Sequence, residues 1–146
     1  MNSVHVFPDS NTMAEEMSRC WMERAIQTAN EQRVFSVVLS GGNTAPMLYK
    51  KLAEPKWRNH ICWSSVHIFF SDERCVPPDN NESNYKNISD HLLNHLSIPE
   101  ANIHRMRGEE NPEKESLRYA KDIQAHLALK KDDINFLYRG TNLSND

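Results

Sequence analysis

The sequence predicts a single α/β domain built on an open, mostly parallel, doubly wound sheet. Two observations carry that prediction. Short apolar runs alternate with longer segments of helical spacing, the pattern of successive βαβ units. The runs VFSVVL (34–39) and VHIFF (66–70) are almost continuously apolar and rich in β-branched and aromatic residues. Strands covered on both faces read this way, whereas half-exposed strands alternate. A length of 146 residues suits one domain with a substantial core and is short for two.

The elements follow in order. Val4 to Phe7 reads as a first strand. Thr12 with Glu15 three residues later forms a capping box, and Met13, Met17, Cys20, Trp21, Ala25 and Ala29 recur at helical spacing to about Asn30. Val34 to Leu39 is the second strand, and Ser40 to Thr44 breaks it. A helical pattern resumes from Ala45 to about Ala53, with Met47, Leu48 and Leu52 on one side. Val66 to Phe70 is the next strand, followed by the polar stretch SDERCVPPDNNES (71–83). Tyr85, Ile88, Leu92 and Leu96 mark another amphipathic helix, which Ile98-Pro99 ends. Asn102 to Met106 suggests a short strand. Asn111-Pro112-Glu113 supplies a cap, a proline at the first helical position and an acid in the first turn. The helix it starts carries Leu117, Ala120, Ile123 and Leu127. Ile134 to Leu137 is the last strand.

Composition excludes several classes of function. Seventeen Lys and Arg against 20 Asp and Glu give a net charge of −3, with no basic patch for nucleic acid or an anionic membrane. No stretch approaches the roughly 20 consecutive apolar residues of a membrane helix. The N-terminus carries no basic residue ahead of an apolar run, so no secretory signal is expected. Cys20, Cys62 and Cys75 are odd in number and widely spaced, fitting neither a disulfide framework nor a CxxC zinc pattern. Reduced thiols in a cytoplasmic protein are the expectation. The oligomeric state is open.

In doubly wound sheets, ligands sit beyond the C-terminal ends of the strands, near a topological switch point. Two polar breaks follow strand C-termini here. The first, LSGGNT (39–44), holds two of the chain's four glycines. Gly41-Gly42 permits a tight turn that presents backbone N–H groups, and the next helix adds unpaired donors and a partial positive charge. An anion such as a phosphate fits there, with Ser40, Asn43 and Thr44 as side-chain donors. A plain strand-to-helix turn capped by Asn43 is the competing account. Neither GxxxxGK[ST] nor GxGxxG is present.

The second break is Ser71-Asp72-Glu73-Arg74. Arg74 could hold a phosphate or carboxylate bidentately, and Asp72 or Glu73 could orient a base, a substrate hydroxyl or Arg74 itself. A local ion-pair network that stabilises the loop explains the same residues. Ser83-Asn84-Tyr85 opens the next helix and either points into this cleft or serves as a cap with a packed tyrosine. His91 and His95 are four apart, but no HExxH glutamate or third ligand accompanies them, so a solvated face is the better account. His104 ends the short strand at NIHRM, while His5, His60, His67 and His126 stand out in no pattern. Cys75 has no partner base nearby.

Taken together, LSGGNTAPMLYKKL, WSSVHIFFSDERCVPPDNNESNY and IPEANIHRM resemble the 6-phosphogluconolactonase family, in its order and at compatible spacing, over roughly Val4 to Asn135. The related glucosamine-6-phosphate isomerase/deaminases carry a DEY-type motif where this chain has Asp72-Glu73-Arg74, and they lack the SNY group. The resemblance implies a Rossmann-like three-layer α/β/α fold and hydrolysis of 6-phosphoglucono-1,5-lactone in the oxidative pentose phosphate pathway. It places Ser40, Gly41, Gly42, Asn43, Thr44, Glu73, Asn84 and Tyr85 against the substrate, with Asp72 and Arg74 supporting catalysis in the same cleft. The implied partner is a small sugar phosphate lactone, and neither a metal nor any other cofactor is implied.

One departure follows from the same resemblance. In the family, a strand like 133–137 leads into a glycine-rich GxGxDGHTAS motif whose histidine is the expected general base. This sequence reads INFLYRGTNLSND from Ile134 on. Residues 1–146 are therefore expected to form an incomplete domain, truncated at the C-terminus and without meaningful lactonase activity. A non-catalytic phosphosugar-binding fragment is the second reading, and an isomerase/deaminase-like enzyme the third.

Overall fold

The computed structural model describes residues 4–127 and 134–137. Helix α1 (Ser10–Asn30) leads to strand β1 (Phe35–Leu39), helix α2 (Ala45–Leu52) and the single turn α3 (Pro55–Arg58). Strand β2 (Val66–Phe70), helix α4 (Asn84–His91), the two-residue strand β3 (Ile103–His104), helix α5 (Pro112–Leu127) and strand β4 (Ile134–Leu137) complete the order. The four strands form one sheet in the order β3-β2-β1-β4, and every pairing is parallel. The predicted α/β class and open parallel sheet are what the chain adopts. Among the described residues, no helix is long and apolar enough to cross a membrane.

The strand order locates the switch point. The chain starts at the centre with β1, steps outward to β2 and β3, then returns through α5 to the other side of β1. Connections reverse direction between β1 and β4, so a crevice opens beyond their C-terminal ends. Strands β1 and β2 run in register from Phe35↔Val66 to Leu39↔Phe70. One more ladder bond follows, the Ser71 N–H donating to the Leu39 carbonyl at 2.8 Å. The two polar breaks therefore leave the sheet side by side.

Alternation along the strands sorts residues between the two faces. Phe35, Val37 and Leu39 of β1 and Val66, Ile68 and Phe70 of β2 join the core with α1, α2 and α4. His67 and Phe69 point to the opposite face, where their rings meet His126 of α5. This gives the expected three layers: helices, sheet, helix.

Helix α1 is capped by Asp9, whose carboxylate accepts the Thr12 N–H at 2.7 Å. That corrects the Thr12 capping box: the helix begins three residues earlier because Asp9 supplies the acceptor. The buried stripe of α1 is Ala14, Ser18, Trp21, Ala25 and Thr28, rotated from the predicted one, and Cys20 is exposed. Two hydroxyls lie on that stripe at little cost. Ser18 donates to the Ala14 carbonyl and Thr28 to that of Arg24, each at 2.8 Å.

Three further expectations differ from the structure. Val4 to Phe7 forms no strand, and Val4 and Val6 are almost fully exposed. Alternating valines alone do not make a strand, which needs a paired and packed neighbour for stability. The helix over Tyr85 to Leu96 stops at His91, and a 3-10 turn covers Leu93–His95. The turn buries Leu92 and Leu93 together, which a continued α-helix would have set about 100° apart. In α5 the side facing the protein is Glu115 and Tyr119, while Leu117 is two-thirds exposed. Polar partners set that face: the Glu115 carboxylate accepts the Arg107 N–H at 2.9 Å and binds Arg118. The side chain of Leu127 lies outside the described residues.

Tyr119 ties α5 to the sheet. Its hydroxyl accepts the Phe70 N–H at 2.7 Å and donates to the Phe70 carbonyl at 3.0 Å. Phe70 directs these groups toward β3, which pairs only as far as Phe69↔His104. The phenol stands in for the missing strand, and burial pushes its pKa up to about 12. Tyr119→Phe leaves both Phe70 groups buried without a partner. It is expected to cost about 1–3 kcal/mol, read as a lower urea midpoint at unchanged m-value.

Candidate active site

The loop after β1 turns on two glycines with different duties. Gly42 has φ +101°, a conformation that side chains rarely adopt. Gly41 is required by proximity instead: a Cβ there would lie 2.0 Å from Asn84 Oδ1. Just before them, the buried Tyr49 of α2 donates its hydroxyl to the Ser40 carbonyl at 2.5 Å. That fixes the carbonyl at the tip of β1 and ties the loop to the helix it leads into. Thr44 occupies the N-cap of α2 but makes no side-chain cap bond, and a proline sits in the first turn. The first turn of α2 thus keeps backbone donors that no side chain caps, beside exposed Gly42, Asn43 and Thr44.

The loop after β2 is organised by Glu73. One carboxylate oxygen accepts the N–H groups of Arg74 and Asn84, each at 2.7 Å. The other accepts the Tyr85 N–H at 2.9 Å and the Ser83 hydroxyl at 3.0 Å. A carboxylate at the start of α4 also meets the positive end of the helix dipole. Ser83 caps that helix, its oxygen accepting the Lys86 N–H at 3.1 Å.

Asn84 joins the two loops. Its side-chain amide donates to Asp72 Oδ2 at 3.0 Å and to the Asp72 carbonyl at 3.2 Å, while its other edge packs on Gly41. Asp72 Oδ1 accepts the Ser71 hydroxyl at 2.8 Å. Arg74 is exposed, and among the described residues its guanidinium makes no hydrogen bond or ion pair. Tyr85 packs its ring on Phe70 and carries the Arg105 guanidinium 5.5 Å above its centroid.

The structure thus gathers Ser40, Gly41, Asp72, Glu73, Asn84 and Tyr85 into one connected assembly at the strand tips. Gly42, Asn43, Thr44 and Arg74 lie on its exposed side. The ion-pair account of Asp72-Glu73-Arg74 does not describe the contacts present, because the acids bind backbone, Ser71, Ser83 and Asn84 rather than Arg74. Sequence reasoning missed Tyr49, whose only signal is a tyrosine among the apolar positions of α2. Gly108 was missed too: a Cβ there would stand 2.1 Å from the Arg74 carbonyl, so the chain after β3 lies against this loop. From Arg74 a groove of about 300 Å³ runs toward α5 past Cys75, Met106, Tyr119, Ala120 and Ile123, away from Ser40–Thr44. Residues 138–146, where the histidine motif is expected, lie outside the described residues.

Residues 8–142 match the family model of glucosamine-6-phosphate isomerases/6-phosphogluconolactonase. The chain belongs to this family. A 6-phosphogluconolactonase of Haemophilus influenzae is 40% identical over 89 residues, 61% of this chain and 38% of the relative. One of Treponema pallidum is 32% identical over 127 residues, 87% of this chain and 51% of the relative. The chain spans about 38% and 51% of the length of these two relatives. The crystal structure of the Thermotoga maritima 6-phosphogluconolactonase superposes with a TM-score of 0.73 at 30% identity, over 83% of this chain and 53% of that one. A monomeric glucosamine-6-phosphate deaminase superposes with a TM-score of 0.75 at 14% identity, over 85% of this chain and 51% of that one. That likeness is one of fold alone.

The two glycines are separable by experiment. Gly41→Ala forces Asn84 away and is expected to cost about 1–3 kcal/mol by overpacking. Gly42→Ala meets nothing and is expected to cost about 1–2 kcal/mol through its left-handed backbone. Adding Asn84→Ala should relieve the first and leave the second unchanged, as a double-mutant cycle by urea unfolding would read out.

Proposed function

We propose that this chain supplies the sugar-phosphate-binding side of a lactonase that hydrolyses 6-phospho-D-glucono-1,5-lactone to 6-phospho-D-gluconate, the lactone-opening step of the oxidative pentose phosphate pathway. The observation that carries the reading is the Gly41–Asn84–Asp72 junction. It locks the glycine loop at the switch point to the DER loop, using the SNY residue that distinguishes the lactonase pattern from the DEY pattern of the deaminases. The names of the relatives point the same way.

The roles follow from chemistry. Substrate phosphate and hydroxyls need donors in a fixed array. Gly41 to Thr44 and the first turn of α2 offer backbone N–H groups, and Arg74 offers a guanidinium that no described residue engages, suited to an anion. Asp72 presents a carboxylate held by Asn84 and Ser71, placed to accept a substrate hydroxyl. Glu73 has both oxygens engaged and acts as a positioning residue for Asn84 and Tyr85. Lactone opening itself is acyl transfer to water. A base takes a proton from water, the oxygen adds to the carbonyl carbon, and the tetrahedral oxyanion collapses as the ring oxygen leaves and is protonated. In the family pattern that base is the histidine of the glycine-rich motif, and Tyr138 to Asp146 contain no histidine. The exposed, unpaired state of Cys20, Cys62 and Cys75 supports a reducing, cytoplasmic setting.

Binding and turnover test different parts of the proposal. Calorimetry should show saturable binding of 6-phosphogluconate to residues 1–146, weakened about tenfold by Arg74→Lys, which keeps the charge and loses the planar fork. Lactone opening by residues 1–146 alone should not exceed the spontaneous rate. Absence of binding in the folded chain would overturn the proposal, and preference for glucosamine 6-phosphate would favour a deaminase. Turnover matching an active lactonase would place the base within residues 1–146.

A further inference from the structure

We infer that His67, His104 and His126 form a binding site for a divalent transition metal of the Zn²⁺ class, on the sheet face opposite the main core and separate from the strand tips. The three residues come from different elements, β2, β3 and the last turn of α5, so only the tertiary fold assembles them. One ring nitrogen from each lies within 4.8 Å of the other two. His67 Nδ1 and His104 Nε2 are 2.9 Å apart. Two imidazole nitrogens bound to one tetrahedral ion at roughly 2.0–2.1 Å stand about 3.3 Å apart, so the rings need to part by only a few tenths of an ångström.

The surroundings prepare these rings as ligands. Asp122 Oδ1 stands 3.1 Å from Nδ1 of both His104 and His126. A carboxylate there accepts the His104 Nδ1 proton and leaves Nε2 with a lone pair facing His67. This carboxylate–histidine arrangement orients imidazoles at metal centres. His104 is further clamped by Phe69, stacked at 4.3 Å between centroids. Burial holds the pKa of both His67 and His104 below the usual histidine range, against the opposing pull of Asp122. His67 meets the ion at Nδ1 by moving its proton to Nε2, a change of tautomer that needs no proton release. His126 is exposed and gives the ion a path from solvent, and tetrahedral coordination by three imidazoles leaves a fourth position for a water. Imidazole ligands favour Zn²⁺, Cu²⁺ and Ni²⁺ over Mg²⁺ and Ca²⁺. The role is structural: the ion would fasten the end of α5 to β2 and β3.

The test titrates Co²⁺ and then Zn²⁺ into the untagged 146-residue chain. One equivalent of Co²⁺ should produce the visible bands of a four-coordinate ion, Zn²⁺ should displace it, and Zn²⁺ should raise Tm. His126→Gln changes an exposed ring, keeps the fold and should abolish the bands. Asp122→Asn should weaken Zn²⁺ binding about 10–100-fold, and His91→Gln, away from the cluster, should leave it unchanged. Binding that His126→Gln does not alter, or no saturation near one equivalent, overturns the inference and leaves the three rings as a hydrogen-bonded stack.

Discussion

Glu73 gives both carboxylate oxygens to four donors: its neighbour Arg74, the N–H groups of Asn84 and Tyr85, and the hydroxyl of Ser83. Each bond is charge-assisted and engages a group that would otherwise be an orphan at a helix start or in a loop. The irregular loop after β2 is thereby bound to the first turn of α4. Because α4 starts at a fixed point, Asn84 reaches Asp72 on one side and fills the space beside Gly41 on the other. The geometry of the strand tips depends on this carboxylate more than on any side chain facing the crevice.

The sheet supplies the other half of the constraint. Parallel pairing of β1 and β2 in register, continued by Ser71 onto Leu39, brings two loops that start 31 residues apart in sequence to the same level. A slip of one residue would send the β2 side chains to the wrong faces, placing His67 and Phe69 in the core and Ile68 outside. Register is therefore enforced by the hydrophobic core, and the core indirectly positions the polar assembly above it.

The two faces of the sheet are stabilised in different ways. Under α1, α2 and α4 the contacts are aromatic and aliphatic, with Trp21, Phe35 and Tyr49 wholly buried. Under α5 they are polar and directional: Tyr119 on the Phe70 backbone, Glu115 on Arg107, and Asp122 among His104, His126 and Arg118. A helix held this way follows its hydrogen-bond partners rather than its apolar stripe. That is why Leu117 faces outward although periodicity would turn it inward.

Much of this molecule was legible in the amino-acid order. VFSVVL and VHIFF announce covered parallel strands because only such strands are apolar on both faces. SGGNT and SDER are conspicuous because each follows a buried strand with residues a mere connection does not need. Other features depend on who the neighbours are. The sequence could not reveal that Val4 to Phe7 forms no strand, that Asp9 rather than Thr12 caps α1, or that α4 breaks at Leu92 so that two adjacent leucines are buried. Local order determined which segments become strands and helices and where the polar breaks fall, since these rest on periodicity and turn chemistry within a few residues. The tertiary structure alone decided that Glu73 is consumed by α4, that Gly41 must yield to Asn84, and that three histidines spread over 60 residues meet, two of them on one carboxylate. Each of those depends on contacts between distant segments, and distance along the chain carries no record of them.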